Sequence, residues 1–165
     1  MKLQDLHTLY IKELRDTYHA EKQITKALPK MIDAAESQQL RSALSKHLDE
    51  TQNHITRLER VFQMHNEDPK TETCKGMEGI IDEGKDVLSH DENREVRDAG
   101  LIAAAQKVEH YEIATYGSLR SWAEQMGHTQ AAQLLQQTLD EEKNADAKLT
   151  QIAQTLNVEA VRRAG

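Results

Sequence analysis

Residues 94–126, REVRDAGLIAAAQKVEHYEIATYGSLRSWAEQM, carry the pattern from which the fold follows. Leu101, Ala105, Val108, Glu112, Tyr116, Leu119, Ala123 and Met126 recur at intervals of three and four, so they share one side of a helix. Gly127 is the natural C-terminal stop. The stripe is apolar except at Glu112, and Glu109 stands one turn before it on the same inward side. A long helix with acids where a packed face needs hydrocarbon is the feature to explain.

The same periodicity recurs three times. From about Leu3 to Ala35 the stripe reads Tyr10, Leu14, Thr17, Glu21, Ile24, Leu28 and Met31; Pro29 leaves the Thr25 carbonyl unpaired, which predicts a bend or a helix broken in two. Ser37 caps a second helix over about 38–65, with Leu40, Leu44, His47, Glu50, His54, Leu58 and Val61 inward. Thr129 is the expected cap of a last helix over about 129–156, striped by Ala131, Leu135, Thr138, Glu142, Ala145, Leu149 and Ile152; the tail after Asn157 finds no partner. Between the hairpins, residues 66–73 read as a loop, about 74–88 as a short helix loosened by Gly76, Gly79 and Gly84, and 89–93 as a turn.

The expectation is all-α: a four-helix bundle over a single domain, 1–165, with an additional short helix in the crossover between the second and third long helices. A linker of about 30 residues can run the length of helices roughly 40 to 50 Å long, so an up-down-down-up order is available.

Composition narrows the function. The 165 residues hold 28 Asp+Glu against 21 Lys+Arg, a net charge of −7, with 38% hydrophobic residues and one cysteine. That is too patterned for a disordered acidic chain, and a lone Cys74 excludes an internal disulfide framework or a thiolate zinc site. Phosphate backbones are repelled, and Arg162-Arg163 is the longest basic cluster, so no nucleic-acid partner is expected. No apolar run is long enough to span a membrane and the start has no secretory signal, which points to the cytoplasm.

The misplaced acids share a level. Glu21 lies about 15 residues before its turn and Glu50/His54 about 14 to 18 after it; Glu109/Glu112 and Glu142/Asp146 flank Gly127 at similar distances. At 1.5 Å per residue both sets lie roughly 20 to 28 Å from their turns, so they meet at mid-bundle. Isolated buried carboxylates are costly, and several at one height favour cations. Oxygen ligands with one or two imidazoles suit two ions of iron, or of manganese. The ligand set read from this is Glu21, Glu50, His54, Glu109, Glu112, Glu142 and Asp146. Glu109 and Asp146 also fit the plainer reading of boundary residues reaching to solvent. His47 is an outer donor or further ligand, and Tyr18, Tyr111 and Tyr116 are either packing residues or hydrogen-bond donors to the carboxylates. Trp122 reads as packing, and His110 as facing a boundary or a neighbouring subunit.

Several segments resemble the bacterial YciF/YciE-type proteins, the DUF892 group within the ferritin-like superfamily: E-L-R-D-T-Y-H-A-E-K-Q at 13–23, A-L-P-K at 27–30, H-L-D-E-T-Q-N-H at 47–54, A-A-A-Q-K-V-E-H-Y-E-I-A-T-Y-G at 103–117 and L-D-E-E-K at 139–143. The resemblance implies a ferritin-like four-helix core with an extra short helix, a homodimer and an association with stress responses. It also implies a Glu on the first helix, here Glu21, and a Glu-x-x-His on the second, here lengthened by one residue to Glu50 and His54. Ala145 and Asp146 stand where the superfamily has a histidine on its last helix. The expected function is a stress-related protein with a dinuclear iron centre that oxidises ferrous ion with dioxygen or peroxide. The alternative is a noncatalytic stress or protein-interaction module whose metal site is empty or structural.

Overall fold

Asp5 opens α1 (Leu6–Ala34) by accepting the Thr8 backbone N–H at 2.7 Å, and Ser37 opens α2 (Gln38–Met64) by accepting that of Leu40 at 3.4 Å. Cys74 caps α3 (Lys75–Leu88) and Asn93 caps α4 (Arg94–Gln125); α5 runs Thr129–Arg163. The computed structural model describes residues 4–90 and 92–163, and among them there is no strand. The expected start at Leu3 lies outside the described residues.

Three local expectations differ from what forms. α1 continues unbroken through Pro29, whose own position is exposed, because Ile24, Leu28 and Met31 on either side of it are buried in one core. α5 extends past Asn157, with Leu156 and Ala160 buried. Thr129 is the first helical residue of α5 rather than its cap, and the His128 carbonyl accepts the Ala132 N–H.

Both long-helix turns at one end of the bundle close in the same way. At the end of α4 the His128 N–H donates to the Ala123 carbonyl and the Gly127 N–H to that of Glu124, with Gly127 at φ +77°. At the end of α2, Glu67 and Asn66 donate to Phe62 and Gln63, with Asn66 at φ 54°. A left-handed residue is what this pair of bonds requires. Gly127→Ala is therefore expected to cost about 1 kcal/mol, read as a lower urea midpoint with unchanged slope.

Contacts at the ends fix the topology. The Asp98 carboxylate accepts the Glu36 and Ser37 N–H groups, tying the start of α4 to the α1–α2 turn. At the far end the rings of Tyr10, His65 and His128 meet. Hence α1 runs up, α2 and α4 down and α5 up, each packed against antiparallel neighbours, with α3 against α1 and α4. The chain between α2 and α4 travels the length of the bundle to allow this.

The core is split. One apolar cluster gathers Ile24, Leu28, Leu40, Leu44, Leu101 and Ile152 with Met77 of α3; the other gathers Tyr10, Leu14, Leu58, Phe62, Leu119 and Leu135. Between them, at mid-height, lie Glu21, His47, His54, Glu109, Glu112 and Glu142, all buried.

Candidate metal centre

Helical spacing delivers these six side chains. His47, Thr51 and His54 continue the inward stripe of α2 at i, i+4 and i+7, while Glu109 and Glu112 sit one turn apart on α4. Glu21 comes from α1 and Glu142 from α5, so every long helix contributes.

The six form two overlapping groups. His47, Glu109, Glu112 and Glu142 can each offer one ligand atom with all four atoms within 4.8 Å of one another, and so can Glu21, His54 and Glu142. Glu142 belongs to both. His54 Nδ1 lies 2.9 Å from Glu142 Oε1 and 3.5 Å from Glu21 Oε1, and His47 Nε2 lies 3.3 Å from Glu109 Oε1. These are close approaches without hydrogen-bond alignment. Both oxygens of Glu112 and of Glu142, Oε2 of Glu21 and of Glu109, and both ring nitrogens of His47 are buried with no hydrogen-bond partner.

A polar support surrounds one half of the cluster. His54 Nε2 is 2.8 Å from Glu141 Oε2, and Arg57 donates to both Glu141 oxygens at 2.7 Å and to Thr138 Oγ1 at 3.0 Å. The Tyr116 hydroxyl donates to Glu21 Oε1. This fixes the His54 ring with Nε2 toward Glu141 and Nδ1 toward Glu21 and Glu142, the arrangement by which a second carboxylate orients a ligating imidazole.

Electrostatics follow burial. Desolvation, then the nearby Glu142, holds the Glu109 carboxyl well above the ordinary carboxylate range, and Glu112 is raised likewise by desolvation and by Glu142 and Glu21. For His54, burial pulls the pKa down, but Glu21 and Glu142 outweigh it and carry it up to about 10. Glu142 is pushed up by burial yet ends below its usual value, through the close approach of His54 and Glu109 and the nearby His47. Tyr116 is raised, first by desolvation and then by Glu21. Four carboxylates share this dry region with two imidazoles, and the unpartnered oxygens fit hard or borderline cations better than an apolar core.

Of the residues expected from sequence, Glu21, His54, Glu109, Glu112 and Glu142 converge. Glu109 is 1% exposed, so it is not a boundary residue. Glu50 does not join them: its side chain is one-fifth exposed and pairs with Lys46, since the inward stripe of α2 passes through His47 and Thr51 and leaves Glu50 on the flank. Asp146 is also on a flank, accepting from Gln106 at 3.0 Å and lying 3.2 Å from His110 Nε2. Of the outer candidates, His47 enters the cluster and Tyr116 touches it. Tyr18 instead donates to Glu59, and the Tyr111 hydroxyl meets Cys74 Sγ at 3.2 Å. Burial raises the Cys74 thiol to about 11, so it is not an activated thiolate. Glu141 and Arg57 went unread because each is only partly buried and lies off the stripe; the adjacent pair Glu141-Glu142 was the available signal.

Comparison with known proteins agrees with this layout. Residues 5–162 match the family model described as Domain of unknown function (DUF892). The chain is 48% identical over 154 residues to the protein YciF of Escherichia coli strain K12, covering 93% of each. The crystal structure of the E. coli stress protein YciF superposes with a TM-score of 0.90 at 47% identity, over 93% of this chain and 97% of that one. YcfI from Rhodopseudomonas palustris gives 0.88 at 44% identity, over 90% and 95%. A protein from Xanthomonas campestris, 22% identical with a TM-score of 0.79 over 97% of this chain and 99% of that one, shares the fold.

Proposed function

We propose that this chain, which belongs to the DUF892 family, holds two iron ions at the middle of its bundle, with manganese as the alternative, and serves a stress-related role. One observation carries the reading: Glu142 stands in both candidate ligand groups with both of its oxygens unpartnered. His47, Glu109 and Glu112 would hold one ion, Glu21 and His54 the other, and Glu142 both. Glu50 lines, with His47 and Glu109, a recess of about 50 Å³ on the α2–α5 side whose other walls include Leu44, Leu149, Lys46 and Lys148.

Iron bound here would supply one-electron steps: two ferrous ions would give the two electrons that, with two protons, take hydrogen peroxide to two waters, or dioxygen as far as hydrogen peroxide. The residues of the chain do the rest. Four carboxylates offset the cation charge, the Tyr116 hydroxyl holds Glu21, and Glu141 with Arg57 keeps the His54 ring oriented. The apolar clusters above and below enclose the layer along the bundle axis.

Anaerobic titration with Fe(II) is expected to saturate at two ions per chain, raise the thermal midpoint and release protons, since burial raises the Glu109 and Glu112 carboxyls, Glu21 and Glu142 raise His54, and ligation requires their deprotonated forms. Oxygen or peroxide should then produce a ferric absorption band. Absence of both stoichiometric binding and the band rejects the redox reading.

The noncatalytic alternative has its own support: the Tyr116–Glu21 hydrogen bond and the Arg57–Glu141–His54 contacts already engage Glu21 and His54 without a cation. It requires that added ferrous ion be oxidised no faster than in buffer. We also propose a cytoplasmic homodimer without membrane or nucleic-acid partners. No helix among the described residues is long and apolar enough to cross a membrane, and the net charge of −7 opposes phosphate backbones. Sedimentation at micromolar concentration should give the mass of two chains.

A further inference from the structure

A cavity of about 260 Å³ opens between α1, α3 and α4. Its walls are mainly hydrocarbon, including Leu28, Ile81 and Val108. His47 and Glu109 also line it, and since both are buried they form its inner end, where it reaches the candidate metal centre. Lys26 and Lys30 line it too, and since both are exposed they stand at its mouth, one helical turn apart. Among the described residues neither lysine has an ion-pair partner, whereas Lys85, also on the lining, is paired with Asp82.

An apolar cavity stays dry and accepts hydrocarbon. A space of about 150 Å³ takes a six-carbon ring, so this one takes roughly ten carbons. Two free ammonium groups at the open end and apolar walls behind them complement an amphiphile whose head is anionic. We propose that the cavity binds a medium-chain carboxylate, its head on Lys26 and Lys30 and its alkyl end against His47 and Glu109. The inference that this ligand is presented to a metal centre rests on the function proposed above; the binding itself needs no ion.

Calorimetry on the full chain after chelator treatment, with decanoate and decan-1-ol below their aggregation limits, tests the binding. One decanoate per chain is expected, with decan-1-ol at least tenfold weaker. The exposed double substitution Lys26→Glu/Lys30→Glu should weaken decanoate at least tenfold and change decan-1-ol less than twofold. Ala27→Phe, on the half-buried wall, should weaken both; if it fails to fold, the lysine pair still decides. Lack of saturable decanoate binding, or equal binding by the lysine variant, overturns the proposal.

Proton NMR of bound decanoate compares Mn(II)-loaded with Zn(II)-loaded protein. Broadening of the terminal methyl beyond that of the methylene next to the carboxylate is expected, and the reverse order overturns the orientation. If the protein takes up neither ion, the metal-centre reading fails while the calorimetric result stands or falls separately.

Discussion

Glu112→Leu is expected to make the metal-free protein more stable and to abolish its metal binding. Glu112 is buried, and neither of its carboxyl oxygens has a hydrogen-bond partner. A buried polar group left unsatisfied costs about 1–3 kcal/mol, and an apolar group of similar size removes that cost. Each kcal/mol moves the midpoint of a chain this long by about 2–4 °C. In the metal-bound state the sign reverses, because the variant lacks an oxygen from the four-residue group formed with His47, Glu109 and Glu142. The affinity loss should exceed the roughly 10–100-fold that follows removal of a residue merely supporting a ligand. Thermal melts with chelator and with Fe(II) under argon read both signs in one variant. A metal-free protein weakened by this change would mean that Glu112 is already satisfied, and the case for a cation there would fail.

The same layer sets a pH dependence in the metal-free state. His54 is raised from 6.5 to about 10 because Glu21 and Glu142 outweigh the penalty of burial, so the folded chain holds a proton that the unfolded chain releases. Stability from this group is complete below about pH 6.5 and is lost as pH rises toward 10. Urea midpoints between pH 6.5 and 9 should fall in chelator, and fall less in His54→Gln.

Asp98→Ala is expected to be the most damaging change outside the metal layer, costing about 3–5 kcal/mol. The carboxylate, 2% exposed, accepts the Glu36 N–H at 2.9 Å and the Ser37 N–H at 2.7 Å. Hydrogen bonds to a charged acceptor contribute about 1.5–3 kcal/mol each, and truncation leaves two donors in the α1–α2 turn without partners. Arg97, its neighbour, donates to the Ala34 carbonyl at 2.7 Å, so one turn of α4 serves both polarities of that turn. Asp98→Asn keeps one acceptor and should cost about half as much. Urea denaturation with an unchanged slope checks the magnitude, and faster amide exchange at Glu36 and Ser37 locates it. A loss under 1 kcal/mol for the alanine variant would show that solvent can replace the carboxylate.

Asp98 illustrates how much of the site and the fold was legible in the chain. Extending the α4 stripe three residues back from Leu101 lands on it, yet an acid at a helix start ordinarily reads as solvated, and only the approach of another turn makes it a buried acceptor. Glu112 is recognisable as inward from its periodicity, whereas Glu109, one turn before it and beside the stripe's centre, reads equally as a boundary residue until packing buries it. Glu50 was not separable from His47 in that way, because both lie near the same face and 3.6-residue spacing leaves a boundary of about one residue. Packing against α1 and α5 made His47 and Thr51 inward and left Glu50 to Lys46. Pro29 is a related case: a local rule predicts a bend or a break, and of these the break does not occur, because the buried side chains on both sides hold the helix in one piece.

By itself the sequence determined the five helices, the two hairpins and the height at which acids interrupt the core, because each depends on periodicity, capping and a rise per residue that are properties of the local chain. Tertiary structure alone decided that Glu142 belongs to two groups, that Glu141 and Arg57 orient His54, and that a hydrocarbon cavity ends on His47 and Glu109. Those relations join atoms on different helices separated by tens of residues, and the rotation of each helix about its own axis is set by how all the apolar faces pack at once.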